Sequence, residues 1–140
     1  MRTPSQTVGP YYAIGLCRRR ENELVPPGDP AALELTGQLL DGAGLPVPDG
    51  LVELWDGPNR RWGRCGTDGE GRFTFVVGRD ADHLDVLVFA RGLLRHLVTR
   101  VYLGVADQPL PESLVATEAG GGKRFDIHLQ GEEETVFFSV

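Results

Sequence analysis

The stretch His83–Leu103, HLDVLVFARGLLRHLVTRVYL, decides the fold. Strand-forming residues run up to Arg91, Gly92 breaks them, and a second apolar run follows from Leu97 to Leu103. Two such runs on either side of a Gly-containing connection predict paired or neighbouring strands. The same passage carries Arg91, Arg95, Arg100, His83, His96 and Tyr102. Those polar groups serve a metal, a substrate, a partner chain, or only the loop between two core strands.

Upstream of this passage, LELTGQLLD sets Leu33, Leu35, Gly37 and Leu39 against polar neighbours, the period of a strand with one buried face. DGAGLPVPDG is a turn-rich connection and LVELW at 51–55 is the next strand. Asp56–Arg64 reads as a short polar link. GTDGEGRFTFVV gives a turn at Asp68–Gly71, then a strand whose Phe73 and Phe75 share a face. Downstream, a helical turn is expected around Glu112–Glu118, and Gly120–Gly122 reads as a flexible surface loop. KRFDIHLQGEEETVFFSV is expected to close the chain as a hairpin. Phe125, Ile127 and Leu129 face inward on one arm of it, and Val136, Phe138 and Val140 on the other. Seven or so short strands at this spacing predict an all-β protein built as a β-sandwich.

Residues 1–20 read as an arm. Pro4, Gly9 and Pro10 forbid a regular helix or central strand there, while Tyr11, Tyr12, Ile14 and Leu16 give it apolar surface to bury. Arg18–Arg20 form a solvated basic turn, and Glu21–Pro30 has the composition of a linker. The expected organisation is therefore an arm and linker over 1–32 and one sandwich domain over 33–140.

At 140 residues one domain with a true hydrophobic core is expected. The 19 glycines and 10 prolines punctuate many short strands better than they would long helices. A net charge of −6 argues against general binding to nucleic acid or to anionic membranes, both of which need a basic surface. No segment approaches transmembrane length, and MRTPSQTVGP lacks the apolar core of a secretory signal, so a cytoplasmic location is expected. Cys17 and Cys65, far apart and outside any CxxC spacing, are expected as free thiols.

Several chemistries find no support. There is no Gly-x-Ser-x-Gly elbow, GGGK at 120–123 lacks Walker spacing, and two cysteines cannot build a thiolate zinc site. The best metal candidate from the residues themselves is His83-Leu84-Asp85, whose two polar side chains share a strand face and suit a borderline ion such as iron or zinc. Its bland reading is a polar strand start. His96 reads as part of a solvated turn, and His128, on the Asp126 face, as a surface or interface residue. Arg91 ends an apolar strand where the chain bends, well placed to meet a carboxylate of protein or ligand through its planar fork.

TPSQTVGPYYAIGL, LVELWDG, CGTDGEGRFTF, VFARGLLRHLVTRVYL and RFDIHLQGEEETVFF resemble, in that order, the protocatechuate 3,4-dioxygenase alpha chains of the intradiol ring-cleavage dioxygenase family. The resemblance spans nearly the whole chain. It implies a β-sandwich of the intradiol (prealbumin-like) type, paired with a homologous beta chain in αβ protomers of a larger oligomer. The implied reaction is oxygen insertion into protocatechuate between its two hydroxyls, giving 3-carboxy-cis,cis-muconate in aromatic catabolism.

In that family the catalytic chain holds a non-haem ferric ion through two tyrosines and two histidines, since hard phenolate oxygens favour Fe(III) and imidazoles complete the set. One tyrosine follows the strand that corresponds to 51–55, where this chain offers Trp62. The other precedes a His-x-His strand, where Val77–Asp82 has no tyrosine and the pattern becomes His83-Leu84-Asp85. His83 and Asp85 are thus expected to be vestigial, with no metal or other cofactor in this chain and Fe(III) in the partner beta subunit. The resemblance places Thr7, Gly9, Pro10 and Tyr11 beside the partner's substrate and makes Arg91 the candidate for its carboxylate. Both ligand loops are short here, and the segment before TPSQ is nearly absent. The competing expectations are a free-standing transthyretin-like or carboxypeptidase-regulatory-like binding module, and a small metalloenzyme using His83 and Asp85.

Overall fold

The computed structural model describes residues 1–9, 11–104 and 109–139, and in them an all-β sandwich preceded by an arm. The strands are β1 (Ala32–Leu40), β2 (Gly50–Asp56), β3 (Arg61–Gly66), β4 (Arg72–Gly78), β5 (His83–Ala90), β6 (Leu97–Tyr102), β7 (Thr117–Ala119), β8 (Gly122–Arg124) and β9 (Ile127–His128). One sheet runs β4-β1-β8-β7, with β9 also pairing β1; the other runs β3-β2-β5-β6. Among the described residues no helix is long and apolar enough to cross a membrane.

Alternation builds both faces. Leu33, Leu35 and Leu39 of β1 and Phe73, Phe75 and Val77 of β4 are buried, and so are Val52, Leu54, Leu84, Val86, Val88, Ala90 and Val101 from the facing sheet. Removing these side chains from water at roughly 25 cal/mol per Å2 of apolar surface is the main force holding the sheets together. β5 and β6 pair antiparallel from His83↔Tyr102 to Val88↔Leu97, the arrangement expected of the opening stretch. Gly37 lets β1 approach its neighbours, because a Cβ there would overlap both the Phe125 carbonyl and the Phe73 ring.

Four local expectations are corrected. The polar link Asp56–Arg64 ends in a strand, β3, registered Leu51↔Gly66 to Asp56↔Arg61 on β2. Its alternation was hidden because Trp62, the large apolar residue, faces outward while Gly63 faces in. The arm does hold a helix, α1 (Tyr12–Leu16), a single turn starting beyond the Gly-Pro break. Gly120–Gly122 is a tight turn joining β7 to β8, with Gly120 and Gly121 at positive φ and Gly122 buried against the Glu34 carbonyl. The chain does not end in a hairpin. After β9 the tail crosses to β6, where Phe138 N–H donates to Val98 O (2.7 Å) and Thr99 Oγ1 donates to Val136 O (2.7 Å). Its phase is also inverted: Thr135 and Phe137 turn inward and Val136 and Phe138 are exposed, while Val140 lies outside the described residues. A buried Thr135 is tolerated because its hydroxyl accepts from His128 N–H (2.9 Å).

The turn around Glu112–Glu118 reduces to a 3-10 helix, Glu112–Leu114. Asn22–Val25 packs on the sandwich rather than hanging free. Leu24 N–H donates to Val76 O on β4, Arg64 N–H on β3 donates to Glu21 O, and Val25 is buried.

Candidate functional site

Antiparallel pairing of β2 and β5 begins at the rung Gly50↔Ala90, and the site is built on that rung. Asp49 and Arg91 are the next residues outward on either strand. Arg91 N–H donates to Asp49 O (3.3 Å), and its Nη1 lies 3.3 Å from Asp49 Oδ2. Both side chains are more than a third exposed, at 55% and 38%. An ion pair so open to water contributes only ~0–1 kcal/mol. Arg91 therefore meets a carboxylate, as its position predicts, but a protein one, through a single nitrogen of its fork.

The arm is tied to the same rung. Thr7 Oγ1 donates to the carbonyl of Ala90 (3.1 Å), the last residue of β5, and accepts from Gly92 N–H (2.8 Å) in the turn that follows, where Gly92 stands at φ 90°. On the other strand Tyr12 donates its phenol to Gly50 O. Burial, and then the neighbouring Cys17, Asp49 and Cys65, push the Tyr12 phenol up to about 12. Between these anchors Gly9 and Tyr11 are exposed; Tyr11 is 77% exposed and no atom lies within 4 Å of where a Gly9 Cβ would stand. Pro10 lies outside the described residues. Of the arm's apolar residues Ile14 is also bare, at 82%, so the surface expected to be buried faces outward in the single chain.

An open cleft of about 490 Å3 separates the arm from the β5–β6 turn, lined by Gln6, Val8, Phe89, Leu93, Arg95 and His96 among others. The His96 ring leans on Phe89 with centroids 5.4 Å apart. Its lining mixes apolar Val8, Phe89 and Leu93 with Arg95 and His96.

His83 and Asp85 stand on the outer face of β5, away from this rung. The His83 ring packs on Tyr102, opposite it on β6, with centroids 5.7 Å apart. Asp85 accepts from Arg100 Nε at 2.8 Å. That hydrogen bond pushes the Arg100 guanidinium pKa up against the effect of burial. A cation already sits on the carboxylate, only one imidazole is at hand, and Trp62 fills the β3 position on the same face. This donor set does not fit a ferric ion. Among the described residues no three His, Cys, Asp or Glu side chains gather as a metal would need.

Cys17 and Cys65 are free thiols, both pushed up by burial. Cys65 packs toward the core, whereas Cys17 sits over Gly66 on the outer side of β3. The structure thus brings Thr7 and Arg91 to one rung and leaves His83 and Asp85 elsewhere. Tyr12 and Asp49 join the rung without a sequence signal, since Tyr12 reads as an apolar arm residue and Asp49 as one letter of a Pro-Asp-Gly turn.

No family model matches the chain. Over 191 aligned positions it is 35% identical to the protocatechuate 3,4-dioxygenase alpha chain of Burkholderia cepacia, covering 99% of this chain and 97% of that one. The alpha chain of the same name from Pseudomonas putida is also 35% identical, with 97% and 95% covered. Since 191 positions exceed the 140 residues here, these relatives carry insertions that this chain lacks. Among solved structures, the dioxygenase domain of a dioxygenase carbohydrate-binding protein fusion from Streptomyces sp. SirexAA-E is similar, with a TM-score of 0.61 at 23% identity, covering 92% of this chain and 98% of that one. Catechol 1,2-dioxygenase from Pseudomonas arvilla C-1 gives 0.59 at 20% identity, covering 78% and 55%. At such identities the solved structures bear on the fold.

Proposed function

Because this chain belongs to the protocatechuate 3,4-dioxygenase alpha-chain family, we propose that it is the non-catalytic subunit of an intradiol dioxygenase. In this reading it completes the site of a homologous, iron-bearing beta subunit that cleaves protocatechuate to 3-carboxy-cis,cis-muconate in aromatic catabolism. The observation that carries the reading is the doubly anchored arm, which leaves Gly9 and Tyr11 exposed between its two anchors on the rung that Arg91 flanks. The misfit of His83, Asp85 and Trp62 to a ferric ion is consistent with chemistry resident on the other chain.

Within the proposed complex, Thr7, Gly9, Pro10 and Tyr11 shape one wall of the partner's pocket and exclude water from it. Arg91 offers the substrate carboxylate the edge of its guanidinium that Asp49 does not occupy. No proton or electron passes through this chain; it binds and orients. The similarity to alpha chains along nearly the full sequence favours this over a free-standing binding module, which has no use for an arm held in this way.

The test is to express the chain alone and with an intradiol beta chain, then measure bound iron, visible absorption and oxygen uptake with protocatechuate. Iron and turnover are expected only with the partner; stoichiometric iron and turnover by this chain alone refute the proposal. In the complex, Arg91→Ala should lower kcat/KM for protocatechuate by about 10- to 100-fold, the loss of one charge-assisted contact, with iron content unchanged.

A further inference from the structure

We propose that Tyr12 is a positioning residue, which together with Thr7 clamps the arm at two points and so sets where Gly9 and Tyr11 stand. The proposal rests on the reading of the arm given above. Thr7 grips one strand of the rung Gly50↔Ala90, through Ala90 O and Gly92 N–H; Tyr12 grips the other, through Gly50 O. One short segment is thereby fixed at both ends to adjacent strands of a rigid sheet, which lowers the entropy lost when a ligand or partner meets it.

The sheet supplies a seat for the Tyr12 end. Gly66 on β3 lies opposite Leu51. A Cβ on Gly66 would stand 3.1 Å from Cys17 Sγ and 3.6 Å from the Tyr12 hydroxyl, so the missing side chain leaves room for both. Leu51 points away from the inter-sheet core, out of phase with Val52 and Leu54, yet is only 2% exposed. The seat is therefore covered, and the arm residues beside Gly66 are at hand to cover it. Two adjacent tyrosines consequently divide the work: Tyr12 is half-buried and holds, whereas Tyr11 is bare and presents.

The experiment has two readouts. In the isolated chain, amide hydrogen exchange is followed over residues 11–17 and at Gly92. Tyr12→Phe, which removes only the hydroxyl, should speed exchange over 11–17. Thr7→Val should deprotect Gly92, and Thr7→Ser, which keeps the hydroxyl, should restore it. Gly66→Val, which crowds the seat from the sheet side, should reproduce the Tyr12→Phe pattern without touching the arm. In the complex with an intradiol beta chain, Tyr12→Phe should raise KM for protocatechuate about fivefold, one net hydrogen bond, with kcat, iron and pairing little changed. Unchanged exchange in Tyr12→Phe overturns the clamp. Faster exchange with an unchanged KM overturns the positioning role, and so does loss of pairing, which would make Tyr12 an interface residue. A wild-type chain that pairs with no intradiol beta chain instead sinks the functional reading and the positioning role with it, while the exchange data still decide the clamp.

Discussion

Tyr11 and Tyr12 are the same side chain one position apart, and only their surroundings separate them. Tyr12 gives its phenolic proton to Gly50 O, and burial with the nearby Cys17, Asp49 and Cys65 holds its pKa at about 12. The folded chain therefore keeps this proton more tightly than the unfolded chain, where a phenol ionises near 10. The contribution to stability is complete below pH ~10 and is lost as the pH rises from there through the folded value near 12. An ultraviolet phenolate titration should show a delayed component that disappears in Tyr12→Phe. A titration curve with no component that this substitution removes at high pH would contradict the buried hydrogen bond. Thr7 enters only through the resemblance of the arm motif; the strand-end place of Arg91 and its meeting with a carboxylate were legible because an arginine closing an apolar strand is visible in one dimension. Tyr12 was not, because its partner is a main-chain carbonyl 38 residues away, which no residue pattern records.

At the level of elements, legibility followed the contrast between faces. β1, β4 and β5 alternate buried with less buried residues along their length, and pattern alone predicts them. β3 defeats the pattern because its outward Trp62 is stacked under the Arg64 guanidinium (4.8 Å), so a large aromatic lies where a polar residue is expected. The tail defeats it because main-chain and hydroxyl bonds, not apolar alternation, attach it to β6. Thr99→Val keeps the shape of a fully buried side chain while removing the donor to Val136 O, and the freed carbonyl is near enough to solvent to find water. The expected cost is about 1 kcal/mol in denaturant unfolding at constant m-value. Faster exchange of Phe138 N–H should accompany it, with the β5–β6 amides unaffected. Collapse of the whole sandwich would mean that the tail is part of the core.

For the whole molecule, the distribution of apolar surface links fold to function. The sandwich needs no help from the arm to form its core, since both inner faces are already filled. Yet Tyr11, Ile14 and Leu94 are 77%, 82% and 62% exposed and belong to the arm and the adjoining turn. Scattered exposed leucines are ordinary; bare apolar residues on an anchored arm suit the surface that the proposed partner would cover. Stability and assembly should therefore come apart on substitution. Ile14→Glu removes no buried contact in the single chain, so its unfolding free energy should change by no more than ~0.5 kcal/mol. Pairing with an intradiol beta chain should weaken by about tenfold or more, because a carboxylate would have to be desolvated at the interface. Denaturant unfolding of the isolated variant, beside a titration of complex formation, reads the two quantities independently. Undiminished pairing in Ile14→Glu would remove the arm from the interface and require another surface to carry the association.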